Sequence, residues 1–597
     1  MNKQGPANGT RQKTVGRLMI GAGLLLIISV VVYIPAFDAG FYADDDGLLV
    51  RNERLQTTDG LGEIWSDREG TYGLYYPLTF TTYWIEYQLW GLNPPGYHVN
   101  NVILHAINAL LVWIVLRRLR LPWAWFAAAV FALHPVHVES VAWVTERRNT
   151  LSGLFYLLSL LAYLGFQPIG DSRRAKGLAV RPHRRWVMYA LSMTFFVAAL
   201  LSKTVTLTLP AAILLLMWWR RGRLVWRDTW PVVPFFVVGI ALSFLTVGLE
   251  RSFIQEGGPG WGMHSTLDRF LIAGRVVWFY LGKVLFPVRL AFHYPRWTID
   301  AHLWWQHLYP AAAIALLVTL FCVRRRLGRG PLAALLFFGG TLVPVLGFVD
   351  YFYMTYSFVA DRFLYLPSIG MITLVVAGAA TGIQRLGPTA VKTARAVCVV
   401  VLVVLGAGVW QRSMAYETTE TLYRDVLAKY PDAWLAHYSL GCVLGANNRP
   451  DEAITHLEAA LRLKPNFPAI RGYLGVVYSQ VGRYDDALRM YQEALRQHPD
   501  DEVIRTNLGF TYIHIGEYDK GIEEYTRALQ INPHYEPALR NLAQFVLYRI
   551  DSLFEAGEAD AARDFAGEAR GLATRLGVQQ LVSQIDQLVR QHTPPQQ

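Results

Sequence analysis

Arg184 to Arg223 reads RRWVMYALSMTFFVAALLSKTVTLTLPAAILLLMWWRRGR: two apolar runs, 186 to 202 and 205 to 219, parted by Lys203 and closed at both ends by arginines. Each run approaches the roughly 20 apolar residues that carry a helix across a bilayer. Arginine collects on the cytoplasmic side of membrane proteins, so the pair reads as a passage out and back with Lys203 at the outer surface. Lys203 there either snorkels or meets an anionic lipid head group.

The same pattern extends over two thirds of the chain. Its 597 residues are 53% hydrophobic and only 17% charged, with a mean hydropathy of +0.24. Soluble domains are nearer one quarter charged, so an ordinary soluble enzyme is excluded. A polar tail, 1 to 17, precedes an uncleaved signal anchor at 18 to 37. Further runs lie near 98 to 116, 123 to 142, 150 to 166, 230 to 248, 270 to 286, 307 to 322, 331 to 349, 363 to 383 and 396 to 411. Basic clusters at Arg117 to Arg120, Arg173 to Arg185, Arg220 to Arg227, Arg324 to Arg326 and Arg385 to Arg395 mark inner loops, which accounts for the net +11 without nucleic acid. Parity then requires one run not to cross. The choice falls on 271 to 286, interrupted by Arg275 and Lys283, as an interfacial or re-entrant helix. The expected membrane domain, 18 to 411, therefore has about eleven spans and a large outer loop at 38 to 97; if both runs cross, the C-terminal domain is cytoplasmic instead. Cys322, Cys398 and Cys442 show no paired spacing.

From residue 412 the chain turns polar, and Pro431, Pro465, Pro499 and Pro533 recur every 34 residues. That period is the tetratricopeptide signature. Leu440-Gly441, Leu474-Gly475 and Leu508-Gly509, with Ala460, Ala494 and Ala528, give full repeats at 431–464, 465–498 and 499–532. A degenerate repeat follows from 533, its second helix displaced by about two turns towards Ala562, and 591–597 reads as a disordered tail. The predicted fold is thus all-α: a polytopic membrane domain and an α-solenoid. Leu435, Tyr438, Cys442, Val476, Ser479, Phe510 and Ile513 are expected to line the groove, whose uncharged character suits an extended or apolar protein segment. A scaffold with no peptide ligand is the plainer reading.

Chemistry-bearing residues gather on the outer side. Asp44, Asp45 and Asp46 follow the first span, either as a solvated turn or as a general base or cation site. His134, His137 and Glu139 are candidate ligands of a divalent cation, weighed against satisfied interfacial histidines. Arg147 and Arg148 stand where arginine is disfavoured, so a phosphate or an ion pair with Glu139 or Glu146 must compensate. Asp361 and Arg362 repeat the theme, with a mutual salt bridge as the plain alternative. No glycine-rich phosphate loop or H-E-x-x-H is present.

Assembled, these blocks resemble bacterial relatives of the transmembrane and tetratricopeptide-repeat O-mannosyltransferases, membrane glycosyltransferases of the GT-C class. The resemblance rests on ADDD at 43–46, HPVHVESVAWVTERRNTLS at 134–152, LSKTVTLTLPAAILLL at 201–216, YLGKVLFPVRLAFHYP at 280–295, ADRFLYLP at 360–367 and the trailing repeats. It implies transfer of mannose or another hexose from a polyprenyl-phosphate donor to a Ser or Thr of a periplasmic protein, with inversion, in a bacterial inner membrane. The acid of the first outer loop maps to Asp44 or Asp45, both open at this point; Arg147, Arg148, Lys203 and Arg362 become phosphate partners. Asp46, His134, His137, Glu139 and Asp361 would support them. Thr204 departs from relatives that carry an acid after the lysine. The alternatives are a scaffold recruiting partners through its repeats and a lipid-linked glycan polymerase or flippase.

Overall fold

The structure, a computed structural model, describes residues 6–66, 75–168, 182–257, 264–349 and 352–592. Arg173, Arg174, Lys176, Arg181 and most of the expected tail at 591–597 lie outside these residues. Among the described residues there is no β-strand. The chain divides into two compact units at Tyr430 and Pro431.

In the first unit the helices include α1 (Pro6–Val31), α2 (Pro77–Trp90), α3 (Pro94–Arg118), α4 (Ala124–Ala132), α5 (Val138–Ala142), α6 (Arg147–Phe166), α7 (Pro182–Ser202) and α8 (Leu209–Arg221). They are followed by α9 (Val233–Gly257), α10 (Thr266–Leu285), α11 (Leu308–Leu327), α12 (Gly330–Leu342), α13 (Ser368–Arg385), α14 (Pro388–Met414) and α15 (Thr419–Lys429). Among the described residues seven helices, or eight with one bent pair, are long and apolar enough to cross a membrane, as in a multi-pass protein. Seven of the eleven expected runs match these; of the other four, 123 to 142 is bent, 205 to 219 and 331 to 349 hold helices of 13 residues each, and 18 to 37 falls on α1. Proline explains the clearest break. The run at 123 to 142 bends by 49° between α4 and the helical segment from Pro135, because Pro135 has no N–H to donate and holds His134 extended. α10 is one continuous helix outside the seven, opened by a reciprocal Ser265–Asp268 cap at 3.0 and 3.2 Å. Its Arg275 lies 4.3 Å from the Trp297 ring.

Two corners position the site. Lys203 is extended (φ −164°, ψ 121°), which ends α7 and leaves its side chain at a turn. Ser159 and Ser192 exchange hydroxyl-to-carbonyl bonds at 2.6 and 2.8 Å, so α6 and α7 approach closely. The loop at 38 to 97 folds over the same end, where Thr79 donates to the Ser202 carbonyl at 3.1 Å and Tyr83 to the Val144 carbonyl at 3.0 Å. The last helix of this unit, α15, is fastened by Lys429, which donates to the Leu290 carbonyl at 2.7 Å and pairs with Asp425 at 2.6 Å.

The second unit stacks α16 (Trp434–Ala446) with α17 (Pro450–Leu463), α18 (Pro468–Gln480) with α19 (Tyr484–Gln497), and α20 (Glu502–His514) with α21 (Tyr518–Ile531). Then α22 (Glu536–Glu555) is 20 residues long against 13 for its equivalents, which carries α23 (Ala559–Arg575) about two turns further on. The final helix, α24 (Gln579–His592), buries Leu581 and Ile585 and closes the stack. Glycine is required where helices touch: a Cβ at Gly475 would lie 2.6 Å from the Tyr491 ring. Gly475→Val is therefore expected to destabilise the array by about 1–3 kcal/mol, seen as faster amide exchange in 468–497 of the full chain. Exchange unchanged from wild type would refute that packing.

Candidate functional site

The three aspartates of the first outer loop adopt three environments. Asp45 is fully buried: its Oδ1 accepts from the Thr145 N–H at 3.0 Å and its Oδ2 from the Tyr42 N–H at 3.2 Å. Burial pushes its carboxyl up to about 7, against the opposing pull of those donors. Asp46 is exposed and pairs with Arg51 at 2.8 Å, where an ion pair in water is worth little. Asp44 is open to water, and among the described residues its carboxylate accepts no hydrogen bond. Protein walls nevertheless desolvate it, so its carboxyl is held above the usual range, with Arg148 and Arg362 opposing and Glu146 adding to the rise.

Beside it, one carboxylate gathers three cations. Glu146 accepts from Arg148 Nη2 at 2.6 Å, from Asn149 Nδ2 at 2.7 Å, from Lys203 Nζ at 3.3 Å, and faces Arg362 Nε at 3.5 Å. Lys203 also donates to Asn149 Oδ1 at 2.7 Å. Arg362 pairs with Glu139 through Nη1 and through its own backbone N–H at 2.9 Å, and lies over the Tyr353 ring at 4.1 Å. With Glu139 and Glu146 as the acids, the three cations leave one positive charge in excess. Among the described residues, Nε of Arg148 and Nε1 of Trp143 are buried without a hydrogen-bond partner. Unpaired donors of this kind cost free energy until an acceptor arrives. Burial lowers the Lys203 ammonium to about 8 despite Glu146, whereas Glu139 holds Arg362 above the usual guanidinium value against its own burial.

Several expected residues lie elsewhere. Arg147 is 1% exposed and held by Glu86, by Asn101 Oδ1 at 2.7 Å and by the Tyr97 carbonyl at 2.9 Å, under the Tyr83 ring, so it is shut away from a phosphate. Its partner is Glu86, not Glu139 or Glu146. His134 Nε2 meets the Val284 carbonyl at 3.0 Å while Nδ1 takes the Val136 N–H; His137 meets the Phe131 carbonyl and Ser368 Oγ, each at 2.9 Å. Glu139 belongs to Arg362, so these three do not converge as ligands, and among the described residues no group of three metal-ligating side chains forms. Asp361 and Arg362 do not pair: Asp361 accepts from Tyr294 at 2.7 Å and faces the other way. Glu86, Asn149 and Trp143 were missed, being isolated polar or aromatic residues in apolar surroundings; only Asn149, directly after the arginines, carried a local signal.

In the array, Leu435, Tyr438, Val476 and Ser479 are half-buried on the first helices and Phe510 is 45% exposed. Ser479 bonds Thr511 at 2.9 Å. Ile513 is a packing residue, since it fills the space above Gly521 between α20 and α21. The array carries sixteen Lys and Arg against twenty-two Asp and Glu, a net −6.

A family described as Tetratricopeptide repeat matches residues 444–506 and 479–525. Protein O-mannosyl-transferase F38B6.6 of Caenorhabditis elegans is 25% identical over 77% of this chain and 65% of its own length. Protein O-mannosyl-transferases TMTC4 and TMTC1 of Homo sapiens are 26% and 25% identical over 74% and 79% of this chain, and over 65% and 58% of their own lengths. The chain thus spans 58 to 65% of these relatives. Among solved structures, MamA is 22% identical over 27% of this chain and 88% of that chain (TM-score 0.22). The structure of YrrB is 20% identical over 30% of this chain and 78% of that chain (TM-score 0.20). By sequence, the chain is a relative of the transmembrane and tetratricopeptide-repeat protein O-mannosyl-transferases, with its repeats following the last span.

Proposed function

We propose that this protein transfers a hexose, mannose by kinship, from a polyprenyl-phosphate donor to a Ser or Thr hydroxyl of a protein segment presented by the repeats. The observation that carries the reading is the open Asp44 carboxylate near Arg148 and Arg362, which share Glu146 with Lys203, while among the described residues Arg148 Nε has no partner. Attack by a hydroxyl on the sugar carbon breaks the bond to the phosphate oxygen. Asp44 would accept the hydroxyl proton, and the cations would hold the departing phosphate dianion. A single displacement of this kind inverts the sugar carbon. The site lies at the outer face if the basic clusters face the cytoplasm, which in a bacterial inner membrane places acceptor and repeats in the periplasm. No cofactor is required by this scheme; a divalent cation would add to the phosphate charge balance.

The test is incubation of purified protein with radiolabelled polyprenyl-phosphate mannose and a periplasmic extract, with label in protein as the expected result. Absence of label with several donor sugars would refute it. The pH profile of kcat/KM gives a second check. Asp44 must be ionised, so activity rises with pH along a limb displaced above the ordinary carboxylate range. Lys203 must be charged, so activity falls as pH rises through about 8. Lys203→Arg is expected to remove that alkaline limb, since guanidinium stays protonated; a limb left in place would exclude Lys203 from the site.

A further inference from the structure

The block at 280–295 runs from the end of α10 into a strap without regular structure. It takes no part in the chemistry above, yet three of its side chains close on the residues around Arg362. The Tyr280 hydroxyl accepts from the Ala360 N–H at 2.9 Å and donates to the Ala360 carbonyl at 3.2 Å. The Tyr294 hydroxyl donates to Asp361 at 2.7 Å and accepts the Ala291 N–H at 3.1 Å, which folds the strap back on itself. Between these contacts, His293 Nδ1 lies 3.0 Å from the Tyr353 hydroxyl. Lys283 fixes the start of the strap by donating to the Val288 and Arg289 carbonyls at 2.7 and 3.0 Å.

Arg362 is held firmly along one edge only. Glu139 takes Nη1 and the backbone N–H, whereas Nε stands 3.5 Å from Glu146, at the limit of a hydrogen bond. Among the described residues Nη2 makes no hydrogen bond, so its donors are the ones left to a phosphate. The plane of the guanidinium is therefore set by aromatic rings: Tyr353 at 4.1 Å, Phe363 at 5.2 Å and Trp143 at 5.5 Å. Tyr353 is the nearest of the three, and its hydroxyl is tied to His293. That imidazole lies within 8° of parallel to the Tyr423 ring of α15, with centroids 6.3 Å apart. Desolvation and the Arg362 charge hold it at about 3, well below its usual value, so it adds no charge to repel the guanidinium.

We propose that His293 and Tyr353 are positioning residues: His293 fixes the Tyr353 ring, and that ring holds the Arg362 guanidinium so that Nη2 meets the departing phosphate. The assignment rests on the transfer reading for the reaction. A misplacement of about 1 Å at a reacting centre can cost about 10²-fold, so side chains that never touch substrate can act through Arg362 alone.

The test is a cycle in purified full-length protein. Tyr353→Leu, which removes the ring, is expected to lower kcat for transfer by about tenfold with KM for the donor within about threefold, because charge on the phosphate develops as the bond breaks. Tyr353→Phe keeps the ring and should recover most of that loss; His293→Phe, which keeps a ring against Tyr423 without the bond, should match it, each within about threefold of wild type. In the background Arg362→Met with Glu139→Gln no guanidinium remains, so Tyr353→Leu should cost less than about twofold there. Equal fold losses in the two backgrounds, or a lowered thermal midpoint with kcat unchanged, overturns the assignment while leaving transfer intact. Retention of undecaprenyl phosphate, measured by mass spectrometry after washing, decides the case of a wild type that transfers no sugar. A fall of about threefold or more in Tyr353→Leu, absent from the Arg362→Met background, then keeps the positioning role and rejects the transfer reading. Equal retention by wild type and Tyr353→Leu in that case overturns both.

Discussion

Asp44→Asn is expected to lower the rate of sugar transfer by about 10²–10⁴, the range over which a positioned general base acts, while donor retention stays within a few-fold of wild type. The substitution is nearly isosteric, and it strands nothing, because Asp44 accepts no hydrogen bond from the described residues. Asp45→Asn should behave differently. Its two oxygens take the Thr145 and Tyr42 N–H groups, and asparagine can accept only one of them. The cost is therefore structural, about 1–3 kcal/mol of stability, with transfer per folded molecule within about tenfold. The pH dependence separates the two further. A buried acid whose folded value is raised to about 7 from 3.8 favours folding least when ionised, so its contribution to stability falls as pH climbs from about 4 to about 7. Asp45→Asn should abolish that slope and Asp44→Asn should not. A rate collapse in Asp45→Asn with Asp44→Asn active would reverse the assignment.

The contrast between these neighbours explains what the sequence could and could not disclose. The 34-residue spacing of prolines and the arginine-bounded apolar runs are local patterns, and a local pattern survives folding. The choice between Asp44 and Asp45 depends on a backbone N–H at Thr145, one hundred residues away. Arg147 and Arg148 are adjacent at a helix start, so they project roughly 100° apart; one is buried against Glu86, and the other joins Glu146 near Asp44. Nothing in ERRN distinguishes them. His134 and His137 read as ligands or as satisfied donors according to carbonyls from Phe131 and Val284, which no spacing rule reveals. Asp361 and Arg362 look like a salt bridge in one dimension and diverge in three.

Arg362 carries the second large effect, because it serves stability and the proposed chemistry together. Its guanidinium and backbone N–H both engage Glu139, and neither partner is open to water. Arg362→Met leaves Glu139 buried without its counter-charge, which is expected to cost about 3–5 kcal/mol and to remove most transfer activity. Loss of activity alone would not separate misfolding from loss of a phosphate contact. The double variant Arg362→Met with Glu139→Gln makes that separation, since it removes both buried charges while Gln keeps an oxygen for the Arg362-position N–H. Replacing a buried pair by neutral groups is often neutral in stability, so the thermal midpoint should return towards wild type. Transfer should remain depressed by about tenfold or more, because the departing phosphate still lacks its cation. Recovery of stability and activity together would reduce Arg362 to a structural partner of Glu139 and leave Arg148 and Lys203 to carry the phosphate.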